Sequence, residues 1–255
     1  MTLENKTPDL IPSAALEFTL QVEGLYAALL RSSPGAATHE EPNLGGKLLY
    51  AGELAAAARA LLVAANIAGA ASLAATADAA AQKQAIRDGV ADFLVNSLDE
   101  ALRILKNEIR KHETVAVCIA AAHQPMEREM RERGVVPDLS RPIDPAPQAP
   151  GEALLYWRVA SAPAQWLPKL DAIALDCLPA TPDPESRAAR RWLRLAPRYL
   201  GRLAQGVRVL HCQLNVAKEF VACVQSKVDH GEIATDVHIT LTSNQEAFFL
   251  KISPR

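Results

Sequence analysis

Apolar residues recur along this chain at two spacings, and the two spacings take turns. Between residues 16 and 30 they fall three and four apart, which predicts an amphipathic helix. A loop with Pro34, Gly35 and Pro42 follows. Apolar runs at 46–52, 71–76, 92–96, 114–120 and 135–139 predict five strands. Helical spacing fills the intervals at 53–68, 78–89, 97–111 and 125–133. Asp78 stands before Ala79-Ala80-Ala81, where its short carboxylate suits an N-cap. Gly69 and Gly89 suit left-handed helix ends, and Ser97 with Glu100 has the spacing of a capping box. Asn66 reads as a late helical residue bonded to nearby backbone.

Strands that alternate with helices over links of a few residues build parallel sheets with right-handed crossovers. The expected fold is therefore α/β, with a doubly wound, mostly parallel sheet of the Rossmann-like kind. Pro142, Pro145, Pro147 and Pro150 predict a stiff linker. Beyond it, strands are expected at 153–160, 171–177 and 207–212. Helices are expected at 185–203, kinked or split by Pro197, and at 216–228. Residues 237–242 and 248–252 suit a closing β-hairpin. The organisation read from this pattern is an N-terminal helix and loop (1–44), a Rossmann-like domain (45–140), the linker (141–152) and a C-terminal α/β extension (153–255). That extension either widens the first sheet or forms its own.

Composition narrows the classes. Of 255 residues, 49% are hydrophobic and only 5% aromatic, which excludes collagen-like, disordered and small disulfide-scaffold proteins. The surplus is alanine, the best helix former and the smallest apolar side chain, so it points to closely packed helices. The longest apolar stretch, 60–75, is broken by Asn66 and Gly69 and is too short to cross a bilayer. The first residues lack the basic-then-apolar order of a secretory leader, so a cytoplasmic location is expected. With 27 basic and 29 acidic side chains, the formal charge of −2 gives no bulk attraction to nucleic acid or an anionic membrane. Any anion site must be local. In a reducing compartment Cys118, Cys177, Cys212 and Cys223 are expected as core thiols rather than disulfides.

Three segments carry more. Gly45-Gly46 precedes the first strand. Ala91-Asp92-Phe93-Leu94-Val95-Asn96-Ser97-Leu98-Asp99-Glu100-Ala101-Leu102 forms a strand, turn and helix, and Glu132-Arg133-Gly134-Val135-Val136-Pro137-Asp138-Leu139 closes the sheet. With these separations, residues 45–139 resemble the central, NAD-binding domain of urocanase (urocanate hydratase). The resemblance covers somewhat over a third of the chain and ends before the proline-rich segment. It implies a Rossmann-like fold. In a urocanase, NAD serves as an electrophile to which the imidazole of urocanate adds, and hydration of the conjugated acid is thereby assisted. That chemistry also requires a larger core domain, for which 255 residues leave little room.

The cofactor positions that the resemblance implies are altered together. The family has a glycine-rich loop after the first strand, because only glycine lets backbone amides come close to the pyrophosphate. Here the run is Gly52-Glu53-Leu54-Ala55-Ala56-Ala57-Ala58. The acidic residue for the ribose falls at Thr76, or two residues later at Asp78, and the following arginine falls at Ala81. An Asn-Ala pair falls at Ala122 and His123, and a Gln-Thr-Ser-Ala-His loop falls near 143–147. The cofactor candidates are thus Gly52, Thr76, Asp78, Asn96 and His123. The expectation is a urocanase-like fold without the standard NAD site; no cofactor is assigned, and NAD is the one to test.

In an open parallel sheet, ligands bind beyond the carboxyl ends of the strands. Reading each expected strand to its end gives Asn96, His123, Asp176 with Cys177, and His211 with Cys212. A thiol near an imidazole could be a nucleophile, which makes Cys177, His211 and Cys212 the catalytic candidates. The alternative is buried thiols beside a hydrogen-bonded histidine. Their spacing is not that of a CxxC or HExxH site, so no metal is expected. Gly45-Gly46-Lys47 could receive an anion but lacks the rest of a P-loop. Arg187, Arg190, Arg191, Arg194, Arg198 and Arg202 recur at helical steps. They read as a solvated face, or as a site for an acidic partner or phosphorylated ligand. Two functions stay open: a urocanase-related module binding a small molecule or a protein, and a urocanase-like hydro-lyase that holds NAD in an altered way, with a partner chain supplying missing groups. Neither a membrane nor a nucleic-acid partner is expected, and the helix at 16–30 could dock on a second copy.

Overall fold

The computed structural model describes residues 14–33, 42–140, 151–180, 183–243 and 246–254. The proline-rich segment 141–150 and the loop 34–41 lie outside the described residues. The chain runs α1 (Ala14–Ser32), β1 (Leu48–Glu53), α2 (Ala56–Ala68), β2 (Ala71–Ala75), α3 (Ala79–Arg87), β3 (Phe93–Val95), α4 (Leu98–Lys111), β4 (Ala116–Ile119), α5 (His123–Glu132) and β5 (Leu139–Ser140). It continues through β6 (Glu152–Val159), α6 (Pro163–Cys177), α7 (Pro184–Leu200), β7 (Arg208–Gln213), α8 (Leu214–Asp229), β8 (Val237–Ser243) and β9 (Glu246–Ile252). No described helix is long and apolar enough to cross a membrane.

Strands β1 to β5 form a parallel sheet in the order β3-β4-β2-β1-β5. Its two faces are covered separately. Leu49, Ala51, Ala74 and Cys118 pack with α2 and α3, while Leu48, Tyr50, Leu73, Val117 and Ile119 pack with α4 and α5. The period of two along each strand is what sends alternate residues to opposite helix layers. The connections after β2 and β4 therefore leave neighbouring strands on opposite faces, which opens a crevice at their carboxyl ends.

Strands β6 to β9 form a separate antiparallel sheet in the order β7-β6-β8-β9. The second half thus builds its own sheet rather than widening the first. Ala153, Leu155 and Trp157 of β6 are fully buried on one face, and Trp157 meets Phe220 of α8 with ring centroids 4.9 Å apart.

The alanine-rich α2 joins the two halves. Ten of its 13 residues are buried, because it touches the parallel sheet, α1 and α7 at once. Small side chains let three neighbours approach one helix closely. The apolar face of α1, with Val22, Leu25, Tyr26 and Leu29, packs into the core of the chain.

Local signals resolve as hydrogen bonds. Asp78 accepts the Ala80 N–H at 2.8 Å. Ser97 Oγ accepts the Glu100 N–H at 3.3 Å, while the Glu100 carboxylate takes the Asn96 N–H at 2.8 Å. Gly69 ends α2 at φ +94°. Asn66 is bonded by the Thr114 hydroxyl at 3.2 Å, a partner 48 residues away rather than local backbone.

Four expectations need correction. Residues 171–177 are the end of helix α6, not a strand, so Asp176 and Cys177 are not at a strand terminus. The short apolar run there fits either period; burial of Trp166, Leu167, Leu170, Asp171, Ala174 and Cys177 at steps of three and four settles it. Only Leu139 and Ser140 pair as β5, one edge of the sheet. Helix α2 begins at Ala56, since Glu53 still pairs with Ala75 in the sheet. Pro197 does not split α7, which runs unbroken past it to Leu200, with less than one turn remaining to be disturbed.

Candidate functional site

The crevice at the carboxyl end of the parallel sheet brings the sequence-derived cofactor candidates to one edge. Gly52 sits in a β-bulge: β1 advances from Tyr50 to Glu53 while β2 advances only from Leu73 to Ala75. Its φ of +76° is the left-handed conformation that this kink needs. The bulge leads into Glu53, whose carboxylate lies 2.7 Å from His123 Nδ1 at the start of α5. This pair spans the space between the ends of β1 and β4.

The other candidates at this edge are engaged in holding helix starts. Thr76 is buried, its hydroxyl accepts the Asp78 N–H at 3.2 Å, and its carbonyl accepts from Gln82 at 2.8 Å. Asp78 caps α3. Asn96 is exposed and is tied by its N–H to Glu100. Lys47, a possible anion ligand from sequence, is 3.2 Å from Asp138, which also accepts the Leu48 N–H at 2.9 Å. Partial burial opposes ionisation of Asp138, but these two donors hold its carboxyl below the usual range. An open cleft of about 510 Å³ lies beside the crevice, lined by Tyr50, Gly52, Glu53, His123, Glu127 and Arg131. Burial, and then the Glu127 carboxylate, push the Tyr50 hydroxyl above its ordinary value.

A second concavity lies at His211 and Cys212, which the strand-end reading named, but its walls on α1 and α7 were not legible there. A cavity of about 710 Å³ opens between α1, the first turns of α7 and the end of β7. Tyr26 and Trp192 form part of its wall, with ring centroids 5.3 Å apart. The Trp192 indole N–H donates to the Val209 carbonyl at 2.6 Å, and the Tyr26 hydroxyl donates to the Ala188 carbonyl at 2.9 Å. Both rings are thereby fixed.

His211 and Cys212 line this cavity, and His211 Nδ1 is hydrogen-bonded to the Glu23 carboxylate of α1. Glu23 is only 4% exposed, so a carboxylate this deep needs its partner. Burial works against the imidazolium of His211, but the Glu23 hydrogen bond and charge, with Glu152 near, raise it above its ordinary value. Burial pushes the Cys212 thiol up to about 12, even with the Ala217 N–H directed at its sulfur. Burial thus works against the thiolate, the form a nucleophilic cysteine needs. Glu23 escaped the sequence reading, although an acid inside the apolar stripe of a helix is a signal that it has a buried partner.

Cys177 is not among the residues lining the cavity. It lies against Cys223 of α8, and burial together with that second thiol pushes it up to about 12. The structure thus brings His211 and Cys212 to one wall and leaves Cys177 elsewhere. All four cysteines carry free thiols. Among the described residues, no group of three or more His, Cys, Asp or Glu could hold a metal ion.

The arginines of α7 are not simply a solvated face. Arg190 donates to the carbonyls of Leu175, Leu178 and Pro179 at the end of α6. Arg191 donates to the Ile67 carbonyl at 2.8 Å, at the end of α2. Helix ends leave carbonyls without intrahelical partners, and a guanidinium satisfies several while matching the negative pole of the helix dipole. Two members of the stripe therefore fasten helices together. The stretch from the middle of α1 to the end of the parallel sheet, residues 22–142, matches the family model of the urocanase Rossmann-like domain, which carries the resemblance back beyond residue 45 into α1.

Proposed function

We propose that this chain is a small-molecule-binding protein built on a urocanase-like Rossmann unit, with its ligand site in the cavity between α1, α7 and β7 and not in the dinucleotide crevice. The observation that carries this reading is the Glu53–His123 pair across the strand ends. A dinucleotide's diphosphate would meet a carboxylate there instead of a cradle of glycine amides. The side chains that could meet the ribose, Thr76 and Asp78, are engaged with the start of α3. The residues present do not fit NAD.

The cavity supports the positive half of the reading. Its volume is in the range of small-molecule sites, and it combines aromatic walls with a few fixed polar groups. The Arg190 and Arg191 contacts support the expectation that nucleic acid is not the partner. A cytoplasmic location belongs to the same proposal.

The test is direct. Purified protein should carry no NAD by absorbance and mass after denaturation, and excess NAD should leave its melting temperature unmoved. A fluorescent apolar probe should bind at one site and be lost from Ala189→Trp, which plugs the cavity, while Ala55→Trp at the crevice leaves it bound. Co-purified NAD, or a melting temperature raised by NAD, would overturn the proposal and favour the hydro-lyase reading.

A further inference from the structure

The two ring nitrogens of His211 have different surroundings. Nδ1 is hydrogen-bonded to the Glu23 carboxylate, and Glu23 is 4% exposed. Nε2 has no protein partner among the described residues and is not enclosed, with 34% of the side chain open. The residue lines the cavity. A carboxylate only accepts, so Nδ1 keeps a proton whether the ring is charged or neutral, and Glu23 fixes the tautomer. Nε2 is therefore a donor on the charged ring and a bare lone pair on the neutral one. On the premise that the cavity is the binding site, we infer that its ligand is an apolar molecule with a neutral carbonyl group, whose oxygen accepts from His211 Nε2.

Ala27 and Leu30 of α1 and Ala188 and Ala189 of α7 line the cavity and are half-buried, so they leave apolar surface for the body of such a molecule. The Glu23 charge already balances an imidazolium, so Nε2 offers a hydrogen bond rather than a net charge. A neutral acceptor gains that bond, whereas a carboxylate gives up far more hydration for it. The contact depends on pH. Among the described residues, the charged groups that bear on His211 are Glu23 and Arg31 of α1 and Glu152 of β6, and Asp183 and Glu185 of α7 line the same cavity. Burial and Arg31 oppose the imidazolium, but the Glu23 hydrogen bond and the charges of Glu23 and Glu152 leave it raised above the ordinary value of 6.5. A carbonyl is therefore held at acid pH and released as pH rises through the folded value, where its lone pairs meet that of Nε2.

Three probes of one shape test this in the full chain by isothermal titration calorimetry: the ketone benzylacetone, the hydrocarbon isopentylbenzene and the carboxylate hydrocinnamate. Benzylacetone should lose at least about tenfold in affinity between about pH 6 and about pH 9, while isopentylbenzene changes by less than about twofold. Hydrocinnamate should bind more weakly than benzylacetone throughout. The double variant Glu23→Gln with His211→Gln, which leaves no buried charge behind, should flatten the benzylacetone profile and keep isopentylbenzene bound. Ala189→Trp should abolish binding of all three, with its folding checked by circular dichroism. If ketone and hydrocarbon share one pH profile, or hydrocinnamate binds more tightly than benzylacetone, and Ala189→Trp removes them, the carbonyl assignment is overturned while the cavity reading stands. If no probe binds, or binding survives Ala189→Trp, both fall.

Discussion

The carboxyl edge of the parallel sheet and the cavity beside α1 use polar groups in opposite ways. At the sheet edge, Asp78, Ser97 and Glu100 terminate the helices next to them, and each partner is four or fewer residues away in sequence. In the cavity the polar pair is Glu23 with His211, joined across 188 residues. In the first region the chain's own capping chemistry engages side chains at the edge where such folds commonly place a ligand. The second shows a cavity formed between α1, the first turns of α7 and the end of β7. A concavity with fixed polar groups thus forms away from the carboxyl ends of the parallel strands.

Removing groups from each region sharpens this contrast. Glu23→Ala should have the largest effect, lowering stability by about 2 kcal/mol in urea unfolding. His211 reaches water on one side, with 34% of its side chain exposed, so the cost falls below that of a fully enclosed pair. The same pair sets a pH dependence. His211 holds its proton more tightly folded than unfolded, so its contribution is complete below the ordinary value of 6.5 and is lost as pH rises through the folded value. Stability should therefore fall from pH 6.5 upwards, and His211→Gln should flatten that fall.

Asp78→Ala comes next, at about 1 kcal/mol, the usual cost of an N-cap. His123→Ala should cost no more than about 0.5 kcal/mol, because the Glu53–His123 pair is largely open to water, with side chains 33% and 41% exposed. Should His123→Ala prove costlier than Glu23→Ala, the crevice and not the cavity would hold the buried charge, and the contrast would break.

Features with short-range causes were legible in the sequence. The N-cap at Asp78, the box at Ser97 and Glu100, and the left-handed end at Gly69 are each set by a few neighbouring residues. The parallel sheet follows from the alternation of apolar runs with helical periods. Residues 171–177 misled because Ala172-Ile173-Ala174-Leu175 fits a buried strand as well as a helix, and only packing separates the two. The arginine stripe misled differently. Helical spacing shows that Arg190 and Arg191 are near one another, but the Ile67 carbonyl that Arg191 reaches belongs to a helix 124 residues earlier. The cavity was only partly legible for the same reason: His211 and Cys212 could be named, but the α1 wall with Glu23 lies 188 residues away.

Helix α2 has a further consequence for motion. A helix buried on nearly every side, and capped at its end by an arginine from the other half of the chain, has no route to open by itself. Its amides should exchange with deuterium only when the whole chain unfolds, and so report the global free energy, whereas α5, with only Met126 and Met130 buried, should exchange through local opening.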